Sequence, residues 1–159
     1  MYFLQDKKIS FIAWICPLLK QKFILENEII YFEGDLINSL YFMKTGACAF
    51  VLPKYDNAKY INITLGYHFG MEDLVHSVIN NDDILQSDWI SHKERLFRAF
   101  TVVGDENDGK SQIMCLDIQD LYRMQVEFSD VYESMFDECY IRLEKALNQK
   151  LQAMRTCQK

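Results

Sequence analysis

Three histidines and five cysteines are the side chains in this sequence best suited to metal or nucleophilic chemistry. Their spacing supports neither. His68, His76 and His92 are too irregularly placed to form a metal set. Cys16, Cys48, Cys115, Cys139 and Cys157 lie far apart with no C-x-x-C pair, and their odd number leaves at least one thiol unpaired. They read as reduced, cytosolic cysteines, and Cys115, inside a strand-like run, reads as core packing. No phosphate-cradling G-x-x-x-x-G-K loop and no G-x-S-x-G nucleophile turn occurs. The expectation is a binding module and not an enzyme, with His68 a partly buried structural histidine beside Phe69 and Gly70.

The glycines are more informative. Only six occur, and Gly34, Gly46, Gly66 and Gly70 fall where short apolar runs should turn. Glycine supplies the positive φ that a tight turn or a close ligand approach requires. Gly70 opens the apolar and acidic stretch Met71 to Val78, which reads as a small helix.

The chain of 159 residues, half of them hydrophobic, has the size and material of one domain. Its formal net charge of -6 argues against nucleic acid as a partner. Acidity does not exclude an anionic small ligand, because one Arg and a ring of backbone N–H groups dominate locally. No apolar run approaches the roughly 20 residues that span a bilayer, and no signal-peptide pattern opens the chain.

These residues must be positioned by a mixed set of elements. Apolar spacings of three and four from Leu4 to Leu19 predict an amphipathic helix, interrupted near its end by Pro17. Strand texture follows at Phe23–Leu25, Glu28–Phe32, Leu40–Lys44, Ala47–Leu52 and Tyr60–Leu65, then at Leu96–Val103 and Ser111–Leu116. The polar stretch Asn80 to Glu94, with Trp89 inside it, reads as an excursion from the sheet, a lid or a partner surface. A turn is predicted over Gly104 to Lys110. Asp117 reads as the N-cap of one helix, with apolar Leu121, Met124 and Val126 following. Ser129 reads as the cap of a second, running to Thr156 with a stripe through Val131, Met135, Cys139, Leu143, Leu147 and Leu151.

Two segments carry a resemblance. Glu28-Ile-Ile-Tyr-Phe-Glu-Gly-Asp35 and Leu40-Tyr-Phe-Met-Lys-Thr-Gly46 are similar to the strand-and-turn motifs of the cyclic nucleotide-binding domain family. The likeness extends from about Phe3 to Lys150, the excursion excepted. It implies an α+β fold over 1–159. An N-terminal helix occupies 1–20, and an eight-stranded antiparallel β-roll occupies 21–116 with an insertion at 79–95. A short phosphate-cassette helix lies within the roll, and two helices close it over 117–157.

The resemblance also implies a binding site. Phe69-Gly-Met-Glu-Asp-Leu74 is similar to the family's phosphate cassette, and Arg98-Ala-Phe-Thr-Val102 to the strand whose Arg neutralises the cyclic phosphate. The implied set is Phe69, Gly70, Met71, Glu72, Asp73, Leu74, Arg98, Ala99 and Phe100, with Arg142 and Leu143 of Tyr140-Ile-Arg-Leu-Glu144 as a lid over the base. Arg95 competes with Arg98, and Arg142 reads equally well as a solvated helix residue. Met71 stands where the family has the Glu that holds the ribose, with Glu72 one residue late. Phe100 stands where the family has a small residue, and the insertion adds acidic charge within reach of the site.

The ligand implied is cAMP, favoured over cGMP because Ala99 follows the Arg where cGMP-selective domains carry Thr; no other cofactor is expected. The lid segment is similar to that of channels. It implies a cytoplasmic domain of a membrane cation channel, whose partners are the rest of that channel and its other subunits. The alternative is a ligand-free homology domain of an ether-à-go-go-like potassium channel, acting in subunit contacts.

Overall fold

The computed structural model describes residues 2–106 and 109–159. Its elements are α1 (Ile9–Ile15), β1 (Lys20–Ile24), β2 (Ile29–Tyr31), β3 (Ser39–Thr45), β4 (Cys48–Leu52), β5 (Ala58–Ile63) and β6 (His68–Phe69). They continue with α2 (Met71–Ile79), β7 (Thr101–Gly104), β8 (Ser111–Asp117), α3 (Ile118–Glu127) and α4 (Ser129–Cys157). The strands form two antiparallel four-stranded sheets, in the orders β1-β8-β3-β6 and β2-β7-β4-β5. This is the expected β-roll. Leu40 and Phe42 from one sheet and Phe50 and Val102 from the other are buried in one core with Ile113 and Phe69. Five residues of β4 are all buried, as befits a strand flanked by β5 and β7.

Several elements differ from their sequence reading. The N-terminal helix is one short α1, flanked by single 3-10 turns at Tyr2–Leu4 and Cys16–Leu18. Pro17 sits in the first turn of the second, where its missing N–H costs nothing. β6, only two residues long, escaped the sequence reading because so short a run shows no period. The expected strand Leu96–Val103 joins its ladder only at Thr101. Before that point its backbone is bonded instead to the Gly34 turn: Gly34 N to Arg98 O (2.9 Å), Arg98 N to Asp35 O (2.8 Å) and Ile37 N to Leu96 O (2.9 Å). Cys115 is half-buried opposite Lys20 of β1 and packs against the core from its margin, in line with its reading as a packing residue.

The insertion begins at Asn80, after α2, and is not a free lid. Ile84 and Trp89 are buried, a 3-10 segment runs from Trp89 to Arg95, and the indole meets Tyr122 of α3 edge-on at 5.7 Å. Gln125 of α3 donates to the Gln86 carbonyl at 2.8 Å. The Gly104 to Lys110 turn includes Asn107 and Asp108, which lie outside the described residues.

Asp117 caps α3, accepting from Gln119 N at 2.8 Å. α4 has Phe128 at its N-cap position with no side-chain cap, so Ser129 is its first residue and not its cap. The apolar stripe of α4 is buried at Tyr132, Met135, Cys139, Leu143 and Ala146 and is exposed at Leu151; Val126 of α3 is exposed too. No helix among the described residues is long and apolar enough to cross a membrane.

Candidate functional site: the Gly70–Arg98 corner and the cavity under the last helix

Strand β6 hands the chain to α2 through Gly70, whose φ of +98° is open to glycine and strained for other residues. A Cβ here would lie 2.9 Å from Arg98 Nη1 and 3.4 Å from Tyr41 Cδ2. The bare backbone thus lets the guanidinium close down on the helix start. Arg98 arrives on the segment held by the Gly34 turn, which joins the two sequence motifs physically.

The side chains of Arg98 and Asp73 are both 0% exposed and are ion-paired at 3.1 Å. Arg98 Nη1 also donates to the Gly70 carbonyl (3.0 Å) and Nη2 to the Ser39 carbonyl (2.6 Å). Its Cζ lies 3.9 Å from the centroid of the Tyr31 ring and 5.7 Å from that of Tyr41, both cation–π contacts. Asp73 Oδ1 accepts from Ala99 N (2.7 Å) and Phe100 N (3.2 Å). This one carboxylate therefore collects a guanidinium and two backbone amides, the donors an anionic ligand would need. Burial, reinforced by Glu72, pushes the Asp73 carboxyl up to about 6 against the downward pull of Arg98 and the Ala99 amide. The paired guanidinium and the two amides favour its ionised form.

The start of α2 is occupied in the same way. Glu72 Oε2 accepts from Gly70 N at 3.0 Å, and Glu72 and Asp73 both sit in the first turn, where negative charge answers the helix dipole. Two carboxylates of the chain itself fill the positions of an anion site.

Beside this corner, under α4, lies a cavity of about 190 Å³. Phe50, Ile63 and Phe69 line it from the roll, Glu72 from α2, and Arg142 and Ala146 from α4. Arg142 Nη2 lies 3.4 Å from Glu72 Oε1 and 3.2 Å from the His68 ring nitrogens, so Arg142 is not a solvated residue. His68 is buried between β3 and α4, and it holds the Glu138 carboxyl below its usual range. Farther along α4, Lys150 donates to Ala99 O (2.9 Å), pairs with Glu33, and lies 5.6 Å from the centroid of the Phe100 ring.

The structure brings Phe69, Gly70, Glu72, Asp73, Arg98 and Ala99 together around the corner, and adds Arg142 at the cavity. Met71 and Leu74, both 0% exposed, and Leu143 are core residues that do not line the cavity. The Phe100 ring packs on Phe50 at 5.0 Å and does not separate Gly70 from Arg98. Arg95 is exposed and lies 3.7 Å from Asp83, away from the corner. Sequence reasoning missed Ser39, Tyr31, Tyr41 and Lys150. The two tyrosines were visible as the aromatic positions of the quoted strand motifs, whereas a carbonyl acceptor such as that of Ser39 leaves no sequence signal.

No family profile matches the sequence, and neither does any curated protein. Solved structures do match in fold. A cAMP-bound PfPKA-R structure has a TM-score of 0.66 at 21% identity, with 98% of this chain and 45% of that chain covered. The catabolite activator protein of Thermus thermophilus has a TM-score of 0.64 at 14% identity, covering 96% of this chain and 63% of that one. PKAR CBD2 bound to Sp-2Cl-cAMPS has a TM-score of 0.60 at 19% identity, covering 92% and 83%. With its paired four-stranded sheets, its short helix after β6 and its two closing helices, this chain has the fold of a cyclic nucleotide-binding domain.

Proposed function

We propose that the chain is a regulatory domain of the cyclic nucleotide-binding type whose phosphate corner is filled from within. It acts on the rest of its parent protein through α4, without cyclic nucleotide. The observation that carries this reading is the Arg98–Asp73 pair, fully buried and shared with the Ala99 and Phe100 amides. A cyclic phosphate would have to displace a carboxylate already satisfied by three donors, next to a second carboxylate on Glu72. Inside a protein, two like charges at such range disfavour one another strongly.

The channel-like segment Tyr140 to Glu144 supports a place in the cytoplasmic part of a cation channel, with the other subunits as partners and no catalytic step. α4 is latched at two points, Arg142 on Glu72 and Lys150 on Glu33 and Ala99 O. A two-state helix held by such contacts is a means of transmitting force between subunits. Nucleotide sensing is the second reading, favoured by the cavity under Arg142. In it, cAMP would shift α4 between positions of unequal affinity.

Calorimetric titration at pH 7.5 separates the two. The expected result is no saturable heat with cAMP or cGMP up to millimolar concentration. Micromolar cAMP binding that disappears in Arg98→Ala would overturn the self-filled corner.

A further inference from the structure

We infer that the groove between the insertion, α3 and α4 takes an arginine side chain from a segment of a partner protein. It shares no lining residue with the cavity under α4 or with the Asp73 corner. Gln125 borders it from α3, and Tyr132, Glu133, Phe136, Asp137 and Tyr140 border it from α4. Positions 132, 136 and 140 recur every fourth residue, as do 133 and 137. One face of α4 therefore carries a row of rings beside a pair of carboxylates, over a length of about 12 Å.

The polar groups of this groove lack donors. Gln125 Nε2 donates to the Gln86 carbonyl at 2.8 Å, which fixes the amide and leaves Oε1 buried with no partner among the described residues. Tyr132 is 3% exposed, and its hydroxyl oxygen is likewise buried without a partner. Glu133 and Asp137 form no ion pair among the described residues, and as like charges one turn apart they repel each other. No basic side chain lines the groove. Buried acceptors without donors are costly, so a cation with several N–H groups answers all four residues together.

A guanidinium fits this demand better than an ammonium. It offers five N–H donors in a flat fork and can stack on an aromatic ring, whereas an ammonium is a compact charge with three donors. At about 590 Å³ the groove has room for an extended arginine side chain and the peptide bonds beside it. Glu133, Asp137 and Tyr140 are exposed, so the groove opens along α4 to a chain lying across it.

Amide NMR of the whole chain, titrated at low salt with the capped tripeptide Gly-Arg-Gly, tests this. Saturable shifts are expected at Gln125, Tyr132 and Phe136. The lysine counterpart should bind at least threefold more weakly and the neutral citrulline counterpart at least tenfold. Glu133→Gln and Asp137→Asn lie on the exposed helix face and should each weaken the arginine peptide at least threefold. Asp56→Asn, in the β4–β5 turn, removes the same charge away from the groove and should change binding less than twofold. Absence of saturable shifts, or citrulline binding equal to arginine, overturns the site. Weakening by Asp56→Asn as large as that by the groove variants means diffuse attraction to an acidic chain and overturns it too. Agmatine binding at least tenfold tighter than the peptide makes the occupant a free guanidine and overturns the partner segment.

Discussion

Asp73→Ala is expected to lower the unfolding free energy at pH 7 by about 3–5 kcal/mol, the cost typical of removing one partner from a buried ion pair. Three groups are orphaned together: the Arg98 guanidinium and the Ala99 and Phe100 amides. Buried donors left without acceptors are penalised by about 1–3 kcal/mol each, which supports a total at the upper end of mutational effects. Asp73→Asn keeps an oxygen for the two amides, so it should lose no more than about half as much. Adding Arg98→Met to Asp73→Ala should recover a large part of the loss, since a buried pair exchanged for apolar groups is often neutral. Urea titrations of the four proteins measure all of this; additive losses would show that the two residues are not coupled.

The same carboxylate sets a pH dependence. Its folded-state value is raised from 3.8 to about 6, so between these values the folded chain binds the proton more tightly than the unfolded chain. Stability from this group therefore rises as pH falls from about 6 toward 4 and is level above about 6. Measured as the difference between wild type and Asp73→Asn, this isolates one carboxyl from the other acids. A difference that shrinks on acidification would contradict the raised value.

Trp89→Ala should be comparably destabilising, by about 3–5 kcal/mol, as large aromatic truncations in cores are. The indole is fully buried and packed edge-on against Tyr122. The prediction separates a packed insertion from a mobile lid. If thermal melts of Trp89→Ala match wild type, the segment contributes nothing to the core. Loss of stability with α3 exposed first in hydrogen exchange would show the insertion bracing that helix.

The architecture was legible because local signals agreed across levels. Positive-φ glycines at 34, 46, 66 and 70 punctuated the β-runs, and the four-residue stripe of α4 marked its buried face. The candidate corner was legible as a set of residues, and Arg98 was separable from Arg95 only by its strand context. Its state was not legible. Whether Asp73 faces solvent or turns onto Arg98 depends on the backbone path through Gly70 and on Tyr31 and Tyr41 closing over the guanidinium. Those are contacts between residues 25 to 67 positions apart, which no window of sequence contains. The insertion misled for a related reason. Its polar texture concealed that two of its residues, Ile84 and Trp89, bury themselves against the rest of the fold.

The occupancy of the corner is read most directly by amide NMR at Gly70, Ala99 and Phe100 during a cAMP titration at pH 7.5. With Gly70 N held by Glu72 and the other two by Asp73, these resonances should not move up to millimolar cAMP. Saturable shifts of all three, lost in Arg98→Ala, would mean that phosphate replaces the carboxylates and that the corner is open to ligand.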